Sequence, residues 1–99
     1  MKTLTETINI RCKTRTENGY EYKYVLYASQ KQKSQGFCLQ CYSIYVEMLR
    51  DGEKISSCEI SDVFTDIQKA TAFFNVAFKN LVTPIELPYV FEDMISVPK

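Results

Sequence analysis

The spacing of apolar residues in this chain changes period once, near position 64, and that change limits the folds open to it. Before it, oily side chains alternate with polar ones, the two-residue period of half-buried strands. After it they recur every three to four residues, the period of helices with one apolar face. In a chain of 99 residues, strands followed by helices read as a single α+β domain spanning 1–99, with the helices on one side of an antiparallel sheet.

In the first segment Leu4, Ile8, Ile10 and Cys12 are expected on one side, with Thr5, Thr7, Asn9, Arg11 and Lys13 on the other. Asn18-Gly19 then supplies the positive φ angles of a tight hairpin turn. In the next strand Tyr20, Tyr22, Tyr24 and Leu26 share a face, opposite Glu21 and Lys23. Ser29 to Gly36 has no apolar residue and is expected to be a loop. A long strand from Phe37 to Leu49 carries the stripe Tyr42, Ile44, Val46 and Met48. Arg50-Asp51-Gly52-Glu53 turns it back into a shorter strand, Lys54 to Ile60, with Cys58 and Ile60 on its apolar side. Two successive hairpins predict a four-stranded antiparallel β-meander.

Beyond the switch, Thr65 with Gln68 three residues on suggests a capping box, and Asp66 suits the helix dipole. Ile67, Ala70, Phe74, Ala77, Phe78 and Leu81 would form the apolar face of a helix near 65–82, ended by Pro84. A second helix is expected near 88–96, beginning at Pro88, with Val90, Phe91, Met94 and Ile95 as its apolar side and Pro98 closing it. The order is ββββαα, with both helices packed on one sheet face.

Particular stretches carry a family likeness: Ile60-Ser61-Asp62-Val63-Phe64-Thr65-Asp66, then Asn80 to Leu87 (NLVTPIEL), then Val90-Phe91-Glu92-Asp93. They resemble a family of small clostridial, hence bacterial, proteins known only as a domain of unknown function, DUF6514. Its members read Y-R-Y-Y-L-V, then Y-G-I-E-V, then D-I-S-x-D, a helix, and V-T-P-x-x-L-x-D-V-I-E-D. Tyr22 to Leu26 is similar to the first element and Tyr42 to Val46 to the second. The likeness covers roughly residues 20–96 and is strongest after Ile60. Phe64 stands where the family usually has Ser, and Pro88-Tyr89 replaces a polar-Asp pair. The resemblance implies the element order and lends no chemistry.

Histidine is absent, which removes the usual proton carrier near neutral pH and rules out any single-chain triad built on imidazole. Four cysteines include Cys38-x-x-Cys41, with Cys12 and Cys58 elsewhere. Structural zinc takes two closely spaced ligand pairs on tight turns, and redox pairs of this spacing sit at a helix N-terminus. Neither context is predicted, so the thiols are read as reduced packing residues. Adjacent Glu92 and Asp93 diverge by about 100° on a helix and do not converge on one ligand. Asp62 and Asp66 fit turn and capping roles. Three glycines cannot build a phosphate loop. The expectation is a protein that is not an enzyme and needs no cofactor or metal.

The formal charge is zero, yet residues 1–36 hold seven Lys/Arg against three Asp/Glu, and residues 37–99 hold five against nine. The simplest use of this asymmetry is attraction between the halves in the fold. No apolar leader or membrane-length run is present, which suggests a cytoplasmic protein. Two short helices cannot cover both faces of four strands, so Tyr27, Tyr45 and Leu49 are expected on a partly exposed face. A second copy is the commonest cover for such a surface, giving a homodimer that binds an as yet unidentified protein partner. The alternative is weak RNA or single-stranded nucleic-acid binding through Arg11, Lys13, Arg15 and Lys23 with nearby tyrosines. A carboxylate or thiolate enzyme is the third.

Overall fold

The computed structural model describes residues 5–32 and 38–95. Four long strands, β1 (Thr5–Glu17), β2 (Tyr20–Gln32), β3 (Cys38–Arg50) and β4 (Glu53–Phe64), form one antiparallel sheet in the order β1-β2-β3-β4. Helices α1 (Ile67–Lys79) and α2 (Leu87–Ile95) follow, so the ββββαα meander with both helices on one face stands. Both described turns place two residues at positive φ: Asn18 at 53° with Gly19 at 83°, and Asp51 at 54° with Gly52 at 81°. That double left-handed turn matches the twist of the strands it joins.

The strands run further than apolar alternation suggested. Ser29 to Gln32 belong to β2, paired with Cys41 to Cys38, because main-chain pairing continues without apolar side chains. The rest of the expected loop, 33–36, lies outside the described residues, as do Leu4, Phe37 and Pro98. β4 continues past Ile60 to Phe64 through an irregularity opposite Tyr42/Ile44.

The helix boundaries also shift. Asp66, not Thr65, is the α1 N-cap: its backbone is extended and its carboxylate accepts from the Gln68 amide at 2.8 Å. α1 stops at Lys79, well before Pro84. Leu81 adopts φ 52° there, the Val82 amide donates to the Ala77 carbonyl at 3.0 Å, and the Leu81 amide donates to Phe78 at 3.3 Å. This is a Schellman closure with leucine where glycine is usual. The capping box belongs to Thr83. Its amide donates to Glu86 Oε1 (3.2 Å), and the Glu86 amide donates to Thr83 Oγ1 (3.3 Å). Pro84 therefore takes the first position after a cap, where its missing N–H costs nothing, and Pro88 is the second residue of α2 rather than its start.

The core lies between the sheet and α1. Tyr22, Tyr24, Leu26, Ile44 and Val46 rise from the central strands to meet Ala70, Phe73, Phe74, Ala77, Val82 and Leu87. Phe73 was not among the expected apolar residues, while Ile67, which was, is 38% exposed. Phe64, Phe73 and Phe91 form a ring cluster with centroids 5.7–5.8 Å apart that ties β4, α1 and α2 together. The Met94 and Ile95 side chains lie outside the described set. The extents are 50 × 39 × 18 Å. Among the described residues the thin dimension holds one sheet layer and one helix layer. Among the described residues no helix is long and apolar enough to cross a membrane.

Candidate interaction surface

The register decides which side chains share a face, since directly paired residues of an antiparallel ladder point the same way. Tyr24 pairs with Lys13 and Val46, and Tyr22 pairs with Arg15 and Met48; all point to the helix side of the sheet. Val25 pairs with Cys12 and Tyr45, Tyr27 with Asn9 and Ser43, Lys23 with Thr14 and Glu47, and Tyr45 with Glu59. These form the opposite face, which neither helix covers.

The residues considered for binding therefore divide. Lys23, Tyr27, Tyr45 and Leu49 lie together on the open face, all half-buried. Arg11, Lys13 and Arg15 lie on the helix face, contrary to the expectation that Arg11 and Lys13 share a solvated side with Thr5, Thr7 and Asn9. The cause is a bulge: Asn9 pairs with Tyr27 and Arg11 with Leu26, so Ile10 is extra and the side-chain alternation reverses beyond it. Ile8, paired with Ala28, stays on the helix side, while Cys12 falls on the open one.

Arg15 has a structural task. Its guanidinium donates to the Phe78 carbonyl at 2.8 Å and the Lys79 carbonyl at 3.3 Å, and to Glu17 Oε2 at 2.9 Å. It thus supplies cationic donors to the carbonyl end of α1, where the helix dipole favours positive charge. Lys13 and Arg15 also lie over the Phe78 ring, at 5.0 and 5.6 Å. The Tyr20-Tyr22-Tyr24 stripe is core. Tyr24 is fully buried, donates to the Val82 carbonyl at 2.9 Å and stacks edge-on against Phe78. Burial pushes its pKa up to about 12.

On the open face Glu59 is the polar centre, and nothing in its alternating neighbourhood marks it out in the sequence. It accepts from the Tyr27 hydroxyl and from Ser61 Oγ. Tyr27 stands on β2 and Glu59 on β4, so the tyrosine ring crosses β3 over its partner Ser43, which is fully buried. Tyr45 donates to Glu47 Oε1 along its own strand at 2.5 Å. Burial first, then these carboxylates, raise both phenols above their ordinary range. Val25 and Cys41 complete an apolar floor, 9% and 5% exposed. The arrangement is a shallow face of aromatic rings and small residues, with both tyrosine hydroxyls tethered to carboxylates.

The three cysteines with described side chains are divided between the two faces. Cys12 and Cys41 belong to the open face and Cys58, paired with Val46, to the helix face; the Cys38 side chain lies outside the described set. Burial, then the Glu59 charge, push the Cys58 thiol up and keep it protonated at neutral pH. Among the described residues no three Cys, Asp or Glu side chains converge as a metal site would require.

No curated protein and no solved structure matches the chain. Residues 1–97 match the model of a family described as a family of unknown function (DUF6514), and the chain belongs to that family.

Proposed function

We propose that this protein is a non-enzymatic, cytoplasmic binding or regulatory module that acts as a homodimer through its open sheet face. The observation that carries the reading is that Tyr27 and Tyr45 beside Val25, and Leu49 further along β3, are half-exposed on the one face that the helices leave bare. Strands of 13 residues rise about 3.3 Å per residue and lie about 4.8 Å apart, so the face measures roughly 40 by 15–19 Å. Two copies would bury on the order of 1,200–1,500 Å² together, the size of a standard specific interface. Face-to-face packing of sheets also suits rings that lie flat over small neighbours.

The division of the basic residues favours self-association over nucleic-acid binding. Stacked bases need rings and cations on one accessible face, whereas Arg11, Lys13 and Arg15 stand on the helix side, and the open face has Lys23 beside Tyr27 and Tyr45 and Lys54 opposite Leu49.

Sedimentation equilibrium tests the reading. The wild-type chain is expected to be dimeric at micromolar concentration. Leu49→Glu and Tyr45→Glu are expected to yield monomers with unchanged circular dichroism. A wild-type protein that stays monomeric at millimolar concentration overturns it. Loss of affinity for single-stranded RNA with rising salt, if observed with a wild-type monomer, would put the nucleic-acid reading in its place.

A further inference from the structure

A second surface lies along the free edge of β4. A groove of about 420 Å³ is lined by Cys58, Glu59 and Ile60 of that strand and by Pro88, Phe91 and Glu92 of α2. Cys58 and Ile60 belong to the helix face and Glu59 to the open face. The hollow thus runs along consecutive residues of an edge strand, whose alternate main-chain groups point away from β3. From Ser56 to Ile60 the pairing with β3 is regular, with irregularities only beyond each end. This leaves a short, straight edge beside an apolar hollow, the geometry that accepts an added strand.

Charge selects the occupant. Between Asn80 and Pro98 there is no Lys or Arg, while Glu86, Glu92 and Asp93 are present. Glu59 adds a carboxylate on the strand itself, and Ile85 just before α2 and Tyr89 on it are each 70% accessible. The other edge strand, β1, is unlike it: its pairing is broken at Ile10, and Arg11 and Lys13 are exposed along it.

We propose that the β4 edge and α2 bind an extended, cationic segment of a partner protein by strand addition. The segment's main chain pairs with Ser56–Ile60. Its apolar side chains on the helix side enter the groove against Ile60 and Phe91. Its lysine or arginine side chains meet Glu59 across the strand and Glu92 at the rim. β1 rejects the same segment by like charge. A homodimer would present two such edges and bind a repeated segment with avidity, but the edge site does not depend on dimerisation.

The test uses a short capped peptide of alternating valine and lysine, and its valine–glutamate counterpart, titrated into the whole chain and followed by amide chemical shifts and hydrogen exchange. The lysine peptide is expected to perturb and protect Ser56–Ile60 and α2 while leaving Ile8–Lys13 unchanged. Glu92→Lys is expected to weaken it about three- to fivefold and to bring the glutamate peptide onto the same amides. No perturbation of β4 up to millimolar peptide, or equal perturbation of β1 and β4, overturns the proposal. So does concentration-dependent protection of Ser56–Ile60 in the free protein, which would make a second copy the occupant. Self-association is read separately by sedimentation, so failure of either reading leaves the other standing.

Discussion

The helix face and the open face are built on the same four strands and both carry tyrosines, yet they meet water in different ways. On the helix face Tyr24, Leu26, Ile44 and Val46 are fully buried beneath Phe73 and Phe74, and the Tyr24 hydroxyl is satisfied by a main-chain carbonyl. On the open face Tyr27 and Tyr45 lie along the sheet, shelter Val25 and Ser43, and keep their hydroxyls on Glu59 and Glu47. A layer of helix lets large apolar groups stand upright and interdigitate. Without one, a sheet can shield its centre only by laying amphipathic rings flat over small residues. The first arrangement supplies stability, and the second leaves a surface available to a partner.

If this contrast is right, substitutions on the two faces should differ sharply in cost. Phe73→Ala, which opens a cavity where Phe64, Phe74 and Phe91 converge, is expected to lose about 3–5 kcal/mol, enough to unfold much of a marginal domain at 25 °C. Urea denaturation followed by circular dichroism measures it, and a cost below about 1 kcal/mol would erase the distinction.

Alkaline pH sharpens the comparison. Tyr24 is fully buried and its pKa is raised from 10.0 to about 12. The unfolded chain therefore releases this proton first as pH rises. The stability it contributes is complete below pH 10 and is lost as pH climbs towards 12, in all about 2–3 kcal/mol. Tyr24→Phe should flatten that part of the stability–pH curve while costing about 1 kcal/mol at neutral pH through the unpaired Val82 carbonyl. An unchanged alkaline limb in the variant would show that Tyr24 is not its source.

Arg15→Ala removes the donors from the Phe78 and Lys79 carbonyls and is expected to cost about 1–2 kcal/mol. Faster amide exchange in the last turn of α1, where a merely surface-charge role predicts none, is the discriminating measurement. The smallest effect belongs to the open face. Tyr27→Phe breaks the bond to Glu59 at a half-exposed site and should change monomer stability by under about 1 kcal/mol. A loss as large as that of Phe73→Ala would mean that the open face is a second core.

The tyrosine stripe was legible as one face because period-two spacing survives regular pairing from Tyr20 to Leu26. The first strand misled for the opposite reason. A bulge is a main-chain event, and nothing in Asn9-Ile10-Arg11 announces it, so residues beyond it were assigned to the wrong side. The capping box expected at Thr65 yielded to Asp66, and the box that does close, Thr83 with Glu86, was not among the expected ones. That choice depended on where the chain leaves the sheet. The groove beside β4 had no linear signature, because its two walls lie some thirty residues apart in the chain (Cys58–Ile60 and Pro88–Glu92) and are brought together with the help of Phe64, Phe73 and Phe91.

The sequence by itself determined the order of elements, the two hairpin turns, the layer of aromatics beneath the helices and the lack of imidazole, since each follows from local spacing or from residue type alone. Tertiary structure decided where Arg11, Lys13 and Arg15 point, how far α1 runs and which strand edge lies beside a groove. Those outcomes depend on pairing register and on contacts between segments distant in the chain, and a local pattern carries no record of either.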